Sequence, residues 1–344
     1  MADHARLRLL TRIIRFGLLL VVTVIALGAW TRLRDAGLGC PDWPTCYGHL
    51  TVPSSSEALA RAAEAFPGQV VEPDKAWPET IHRYFAAGIG AVLVLIAFLA
   101  LQLRHLPGMP WRHALGLLVL VCVQGGFGAL TVTEKLYPPV VTGHLLLGFT
   151  TFSLLWLLHL RLHRAFPPLQ DAVASETRPL TTLAILLLVL QILLGGWTAS
   201  NYAAAVCTEL PVCQAGWQQV LDPVEAFTPF RPDDRSYEYA PHLGTDAKVT
   251  IHVAHRLGAV IVSAVLILLG SLLLRARHRR YRRFGLLVLA GLGIQVALGV
   301  VNVSLGLPLA NAVAHNVWAA ILLQLLIALR FAQAREHRGG LSWH

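Results

Sequence analysis

Four histidines of this 344-residue chain recur as two matched pairs. Ile81-His82-Arg83 is answered by Ala254-His255-Arg256 at a separation of 173 residues, and Gly143-His144 by Ala314-His315 at 171. Gln124 and Gln295 share the 171-residue separation. Four cysteines recur as well: Cys40 and Cys46 are answered by Cys207 and Cys213, each 167 positions later. Leu27-Gly28-Ala29-Trp30-Thr31 and Leu194-Gly195-Gly196-Trp197-Thr198 precede the two cysteine pairs at that same separation. The chain therefore reads as two copies of one unit, residues 1–165 and 166–344. Imidazoles bind metals and move protons. Two of them facing each other across a helical bundle suit the two axial positions of a heme iron. Bridging between helices and proton relay are the other uses open to the same four side chains.

Arg83 and Arg256 directly follow two of these histidines. A guanidinium pairs well with a carboxylate such as a heme propionate; snorkelling to lipid headgroups is the plainer use. Glu79 stands one turn before His82, on the same helix face, whereas the residue three before His255 is His252. This is the sharpest break in the repeat. A carboxylate beside a cofactor in one half only could move protons, or it could be a first-turn acid favoured by the helix dipole. His252, one turn before His255, is a substitute ligand, but the shared His-Arg pair favours His255. Each cysteine pair has the same short spacing, Cys40 to Cys46 and Cys207 to Cys213. The expected state is one local disulfide per half, structural or redox-active. Zinc would need four ligands in paired short spacings, which these loops lack. Cys122 has no counterpart and reads as a small buried packing residue.

The elements that must carry these residues are membrane helices. The chain is 55% hydrophobic and 14% charged, with mean hydropathy +0.59; a soluble domain carries about a quarter charged residues. Apolar runs long enough to span a bilayer occur near 13–31, 81–103, 114–132, 140–160, 180–200, 249–274, 284–303 and 307–331. The spanning helix satisfies its own backbone in lipid. Arg6, Arg8, Arg12 and Arg15 before the first run imitate a signal peptide, but its internal counterpart at 180–200 argues for a retained span. An even number of spans puts both termini on one side. That side carries 18 Arg and no Lys against 4 acids, the other 10 basic and 15 acidic residues. The positive-inside rule then places both termini in the cytoplasm. The net charge of +9 and the basic run from Arg275 to Arg283 are accordingly topology and contact with membrane lipid, not nucleic-acid binding. Outer segments near 32–80 and 201–248 follow the first span of each half and read as partly ordered caps, with a short helix near 57–66. The cysteines they hold face an oxidising compartment if the membrane is a bacterial inner one.

The fold class expected is thus all-α and integral to the membrane. Eight transmembrane helices form two tandem four-helix bundles, related by a pseudo-twofold along the membrane normal. His82, His144, His255 and His315 fall in spans two, four, six and eight, all running inward. Each lies near the outer end of its span, at an expected common depth of about 8–10 Å. The remaining histidines lie in loops, tails or span ends.

Together these residues resemble the heme A synthase family. The resemblance is carried by Thr31-Arg32, by Gly37-Leu38-Gly39-Cys40-Pro41-Asp42-Trp43-Pro44-Thr45-Cys46 and by Glu79-Thr80-Ile81-His82-Arg83. It continues through Gly143-His144, His255-Arg256-Leu257-Gly258 and His315-Asn316. It implies a heme-dependent membrane oxidoreductase that converts heme O to heme A, oxidising a methyl group to a formyl group by successive hydroxylation. It implies that His255 and His315 bind a resident heme b, that His82 and His144 face the substrate heme, and that Glu79 is the catalytic carboxylate. Heme O synthase, cytochrome oxidase assembly factors and an electron donor are the implied partners. A diheme b-type electron-transfer cytochrome and a heme transporter or chaperone without chemistry are the rival readings.

Overall fold

The computed structural model describes residues 2–163, 165–229 and 243–338. His242 and His344, expected in an outer loop and a tail, lie outside the described residues, as does much of the end of the second cap. Eleven α-helices occur among the described residues, and no strand. They are α1 (Ala2–Leu33), α2 (Ser56–Ala65), α3 (Pro73–Gln102), α4 (Trp111–Thr133), α5 (Pro138–Leu162) and α6 (Ala172–Glu176). Then follow α7 (Arg178–Ser200), α8 (Pro223–Phe227), α9 (Thr245–Leu274), α10 (Arg279–Ser304) and α11 (Leu309–Arg338). Eight of these, α1, α3, α4, α5, α7, α9, α10 and α11, are long and apolar enough to cross a membrane. The protein is a multi-pass membrane protein.

The helices outrun the apolar runs at their polar ends. α1 takes in Arg6, Arg8 and Arg12, whose long stems can lie along the helix while the heads reach water. α3 begins at Pro73, before the apolar run, because proline at the first helical positions loses no needed N–H. Glu79 is consequently not in the first turn of its helix, and a dipole role at the helix start does not account for it. The short helix in the first cap is found at Ser56–Ala65, where the Ser55 side chain accepts from Ala58 N.

Within residues 1–165, α1 packs on α3, α3 on α4, α4 on α5, and α5 back on α1. Within residues 166–344, α7 packs on α9, α9 on α10, α10 on α11, and α11 back on α7. Between these groups α1 lies against α11, α5 against α7, and α5 against α11. The largest cluster of buried apolar side chains lies at one end of the molecule, and smaller ones around Cys40, Ala76, Ala203 and Ile251 pack the cysteine-loop end. Leu10 and Ile14 lie near the start of α1, and Leu93, Leu155, Leu266 and Leu326 lie in the later turns of α3, α5, α9 and α11. The histidines sit toward the other end of the same helices. Cys122 does not pack inward as its small size suggested; it is exposed on the outer face of α4, where a membrane would bury it in lipid instead.

Candidate functional site

Each of the four repeated histidines rests on a glycine of the neighbouring helix. A Cβ at Gly28 of α1 would come 2.9 Å from His82 Cε1, and one at Gly128 of α4 would come 3.2 Å from His144 Cε1. In the second half, Gly195 of α7 faces His255 at 3.2 Å and Gly299 of α10 faces His315 at 3.3 Å. Larger residues would push the rings out of the space between the helices. These glycines repeat at 167 and 171 residues like the side chains they support. They are positions beside the histidines that the reading of side-chain chemistry passed over, although Gly28 and Gly195 stand inside the repeated pentapeptide.

The rings pair within halves. His144 lies within electrostatic reach of His82, and His315 of His255. All four are half-buried, and Nδ1 of His82 and of His144 is buried without a hydrogen-bond partner. Glutamine amides brace the helices beside them: Gln124 Nε2 donates to the His144 carbonyl at 3.0 Å, and Gln295 Nε2 lies 3.4 Å from His315 Nδ1. Two imidazoles per half, glycine clearances and orphaned ring nitrogens fit a planar metal macrocycle. No cluster of three or more His, Cys, Asp or Glu side chains able to hold a bare metal ion occurs among the described residues.

Glu79 is 4% exposed. Its Oε1 meets Arg83 at 2.5 Å and its Oε2 accepts from Cys40 N at 2.9 Å. Arg83 also donates to the carbonyls of Asp42 at 2.8 Å and Thr45 at 2.6 Å. The loop it grips is closed by the Cys40–Cys46 disulfide and organised by the Asp42 carboxylate, which accepts from Tyr47 N, Gly48 N and the Thr45 hydroxyl. Gly39 lets this loop lie directly on α3: a Cβ there would stand 2.4 Å from Lys75 O. The second half repeats the device. Arg256 donates to the carbonyls of Cys207, Glu209 and Val212 at 2.5–2.6 Å, across a loop closed by Cys207–Cys213. Its Nε donates to His252 Nε2 at 3.1 Å, where the first half has the Glu79 ion pair. Both arginines thus bind cysteine-loop carbonyls. His252 is committed to Arg256, while His255 is the ring on glycine.

At the cysteine-loop ends of the helices, Arg32 joins the two halves. It donates to Ala199 O at 2.7 Å and lies 4.1 Å over the Tyr202 ring. Burial, offset in part by the Arg32 charge, pushes the Tyr202 phenol up to about 12, so it stays protonated at ordinary pH.

A family described as cytochrome oxidase assembly protein, COX15-CtaA, matches residues 11–327. A Shewanella oneidensis protein named heme A synthase is 44% identical over 322 residues, covering 94% of this chain and 96% of that protein. Heme A synthases of Rhizorhabdus wittichii and Rickettsia felis are 27% and 24% identical, each over at least 90% of this chain and 89% of theirs.

Proposed function

The chain belongs to the COX15-CtaA family of cytochrome oxidase assembly proteins, and from that premise we propose that it works as a heme A synthase. Its substrate is heme O, and the reaction converts a methyl group to a formyl group by successive hydroxylation. The observation that carries the division of labour is an asymmetry in a doubled site: Glu79 with Arg83 in the first half, His252 with Arg256 in the second.

In this reading residues 1–165 hold the substrate heme between His82 and His144, and residues 166–344 hold a resident heme b between His255 and His315. The resident heme supplies redox capacity when bound. The chain's own groups do the rest. The histidines orient both macrocycles, and Glu79 holds or moves a proton at the substrate edge. The two disulfide-closed loops cover the outer ends. Arg83 and Arg256 retain donor capacity beyond their loop carbonyls, since a guanidinium has five N–H groups, and these are the donors assigned to heme propionates. The helix neighbours support a pseudo-twofold: exchanging the halves turns the α1–α11 contact into α7–α5 and leaves α5–α11 as it is. The arginine-rich side supports cytoplasmic termini in a bacterial inner membrane, with the heme sites near the outer face. Heme O synthase as supplier and cytochrome oxidase assembly factors as receivers follow from substrate and product.

Expression beside a heme O synthase, followed by pigment extraction and mass analysis, tests the activity. Heme A should accumulate. Unaltered heme O with bound heme b would instead make the protein an electron carrier or a transporter.

A further inference from the structure

Gln191 breaks the repeat beside a histidine that does not. Its counterpart 167 positions earlier is Val24, and Gly258, three residues after His255, has Phe85 as its counterpart 173 positions earlier. Both changes act at one spot. Gln191 Nε2 lies 2.8 Å from the His255 carbonyl and 3.0 Å from His255 Nδ1. A Cβ on Gly258 would stand 2.3 Å from Gln191 Oε1, so glycine there is what admits the amide. In the first half the His82 ring has a hydrogen bond to the Val24 backbone, but its Nδ1 has no partner. Phe85, where the clearing glycine would be, is 39% exposed.

We propose that Gln191 is a positioning residue that fixes the His255 ring and makes the second half the retaining heme site. The first half, without the amide, is the exchanging one. The proposal rests on the reading of His255 as a heme ligand. A histidine bound to a metal through one ring nitrogen is oriented by what the other nitrogen bonds, and loss of that partner typically costs about 10–100-fold in metal affinity. The terminal torsion of an unbonded imidazole is broad. Gln191 can serve a bound ring in either sense, because its amide carries donors and an acceptor, and its Oε1 is buried without a partner. The reaction needs this inequality. A product heme must leave after each conversion, whereas the resident heme must stay through many.

The test uses purified holoprotein. Gln191→Val installs the first-half residue. Transfer of the bound heme to excess apomyoglobin should become about 10–100-fold faster. The ferric low-spin electron paramagnetic resonance signal, which reports the angle between ligand imidazole planes, should shift or broaden. Gly258→Ala, which keeps the amide but takes its space, should move both readings the same way, and it decides the matter if Gln191→Val does not accumulate. Wild-type transfer and an unchanged signal in the variants would overturn the positioning role, provided His255→Ala abolishes the low-spin signal. If His255→Ala keeps that signal, the ligand reading itself has failed.

Discussion

Removing the charge of Glu79 while keeping its shape separates chemistry from scaffolding. Gln at this position can still accept from Cys40 N but cannot pair ionically with Arg83 or carry a proton. General acid–base groups contribute typically about 10²–10⁴-fold, so Glu79→Gln should nearly stop heme A formation while the resident heme spectrum persists. Near-normal heme A from this variant would return Glu79 to a structural role. The glycines under the histidines give a second prediction at this scale. A side chain at Gly195 strikes His255, and one at Gly28 strikes His82. Gly195→Val should therefore abolish the low-spin heme absorbance. Gly28→Val should spare it and reduce heme A yield, as measured by pigment extraction.

At the scale of elements, arginine and loop act together. Each cysteine loop is closed by its disulfide and pinned by an arginine one residue past a histidine, so loop and histidine helix are one mechanical piece. Thiol labelling with and without reductant, followed by peptide mapping, should find Cys40 with Cys46 and Cys207 with Cys213, and Cys122 alone free. Labelling of Cys207 without reductant would contradict this. Where α9 meets α10 the backbones touch: a Cβ on Gly285 would come 2.7 Å from Gly270 O. Overpacking of this kind costs typically about 1–3 kcal/mol, so Gly285→Val should lower the thermal midpoint of the detergent-solubilised protein. The spans were legible because apolar runs near 20 residues have few other uses in a chain this hydrophobic. Their polar extensions were not, since Pro73 and Arg6 are helical here for reasons that hydropathy does not carry. The histidine pairs were legible through the repeat. What Arg83 binds was not, because sequence spacing fixes the direction of a side chain on its helix but not the loop that folds over it.

For the whole molecule, the expectation is unequal halves in one orientation. Replacing His255 or His315 with Ala should remove the low-spin spectrum of the purified protein, whereas the same change at His82 or His144 should leave most of it. Equal loss from all four would end the division of roles. Reporter fusions at the C-terminus should report the cytoplasm, as the 18 arginines of that side require. The asymmetry of Glu79 against His252 was readable from the sequence. The supporting asymmetry of Gln191 and Gly258 was not, since an amide and a glycine in an apolar helix carry no chemistry until their neighbours are known. The placement of the fully buried leucines, Leu10 and Leu93 through Leu326, has a consequence for biogenesis. They gather away from the histidines, so that end closes on contacts between side chains of the chain itself. Folding of that end can then run ahead of cofactor supply, because its packing is complete without one.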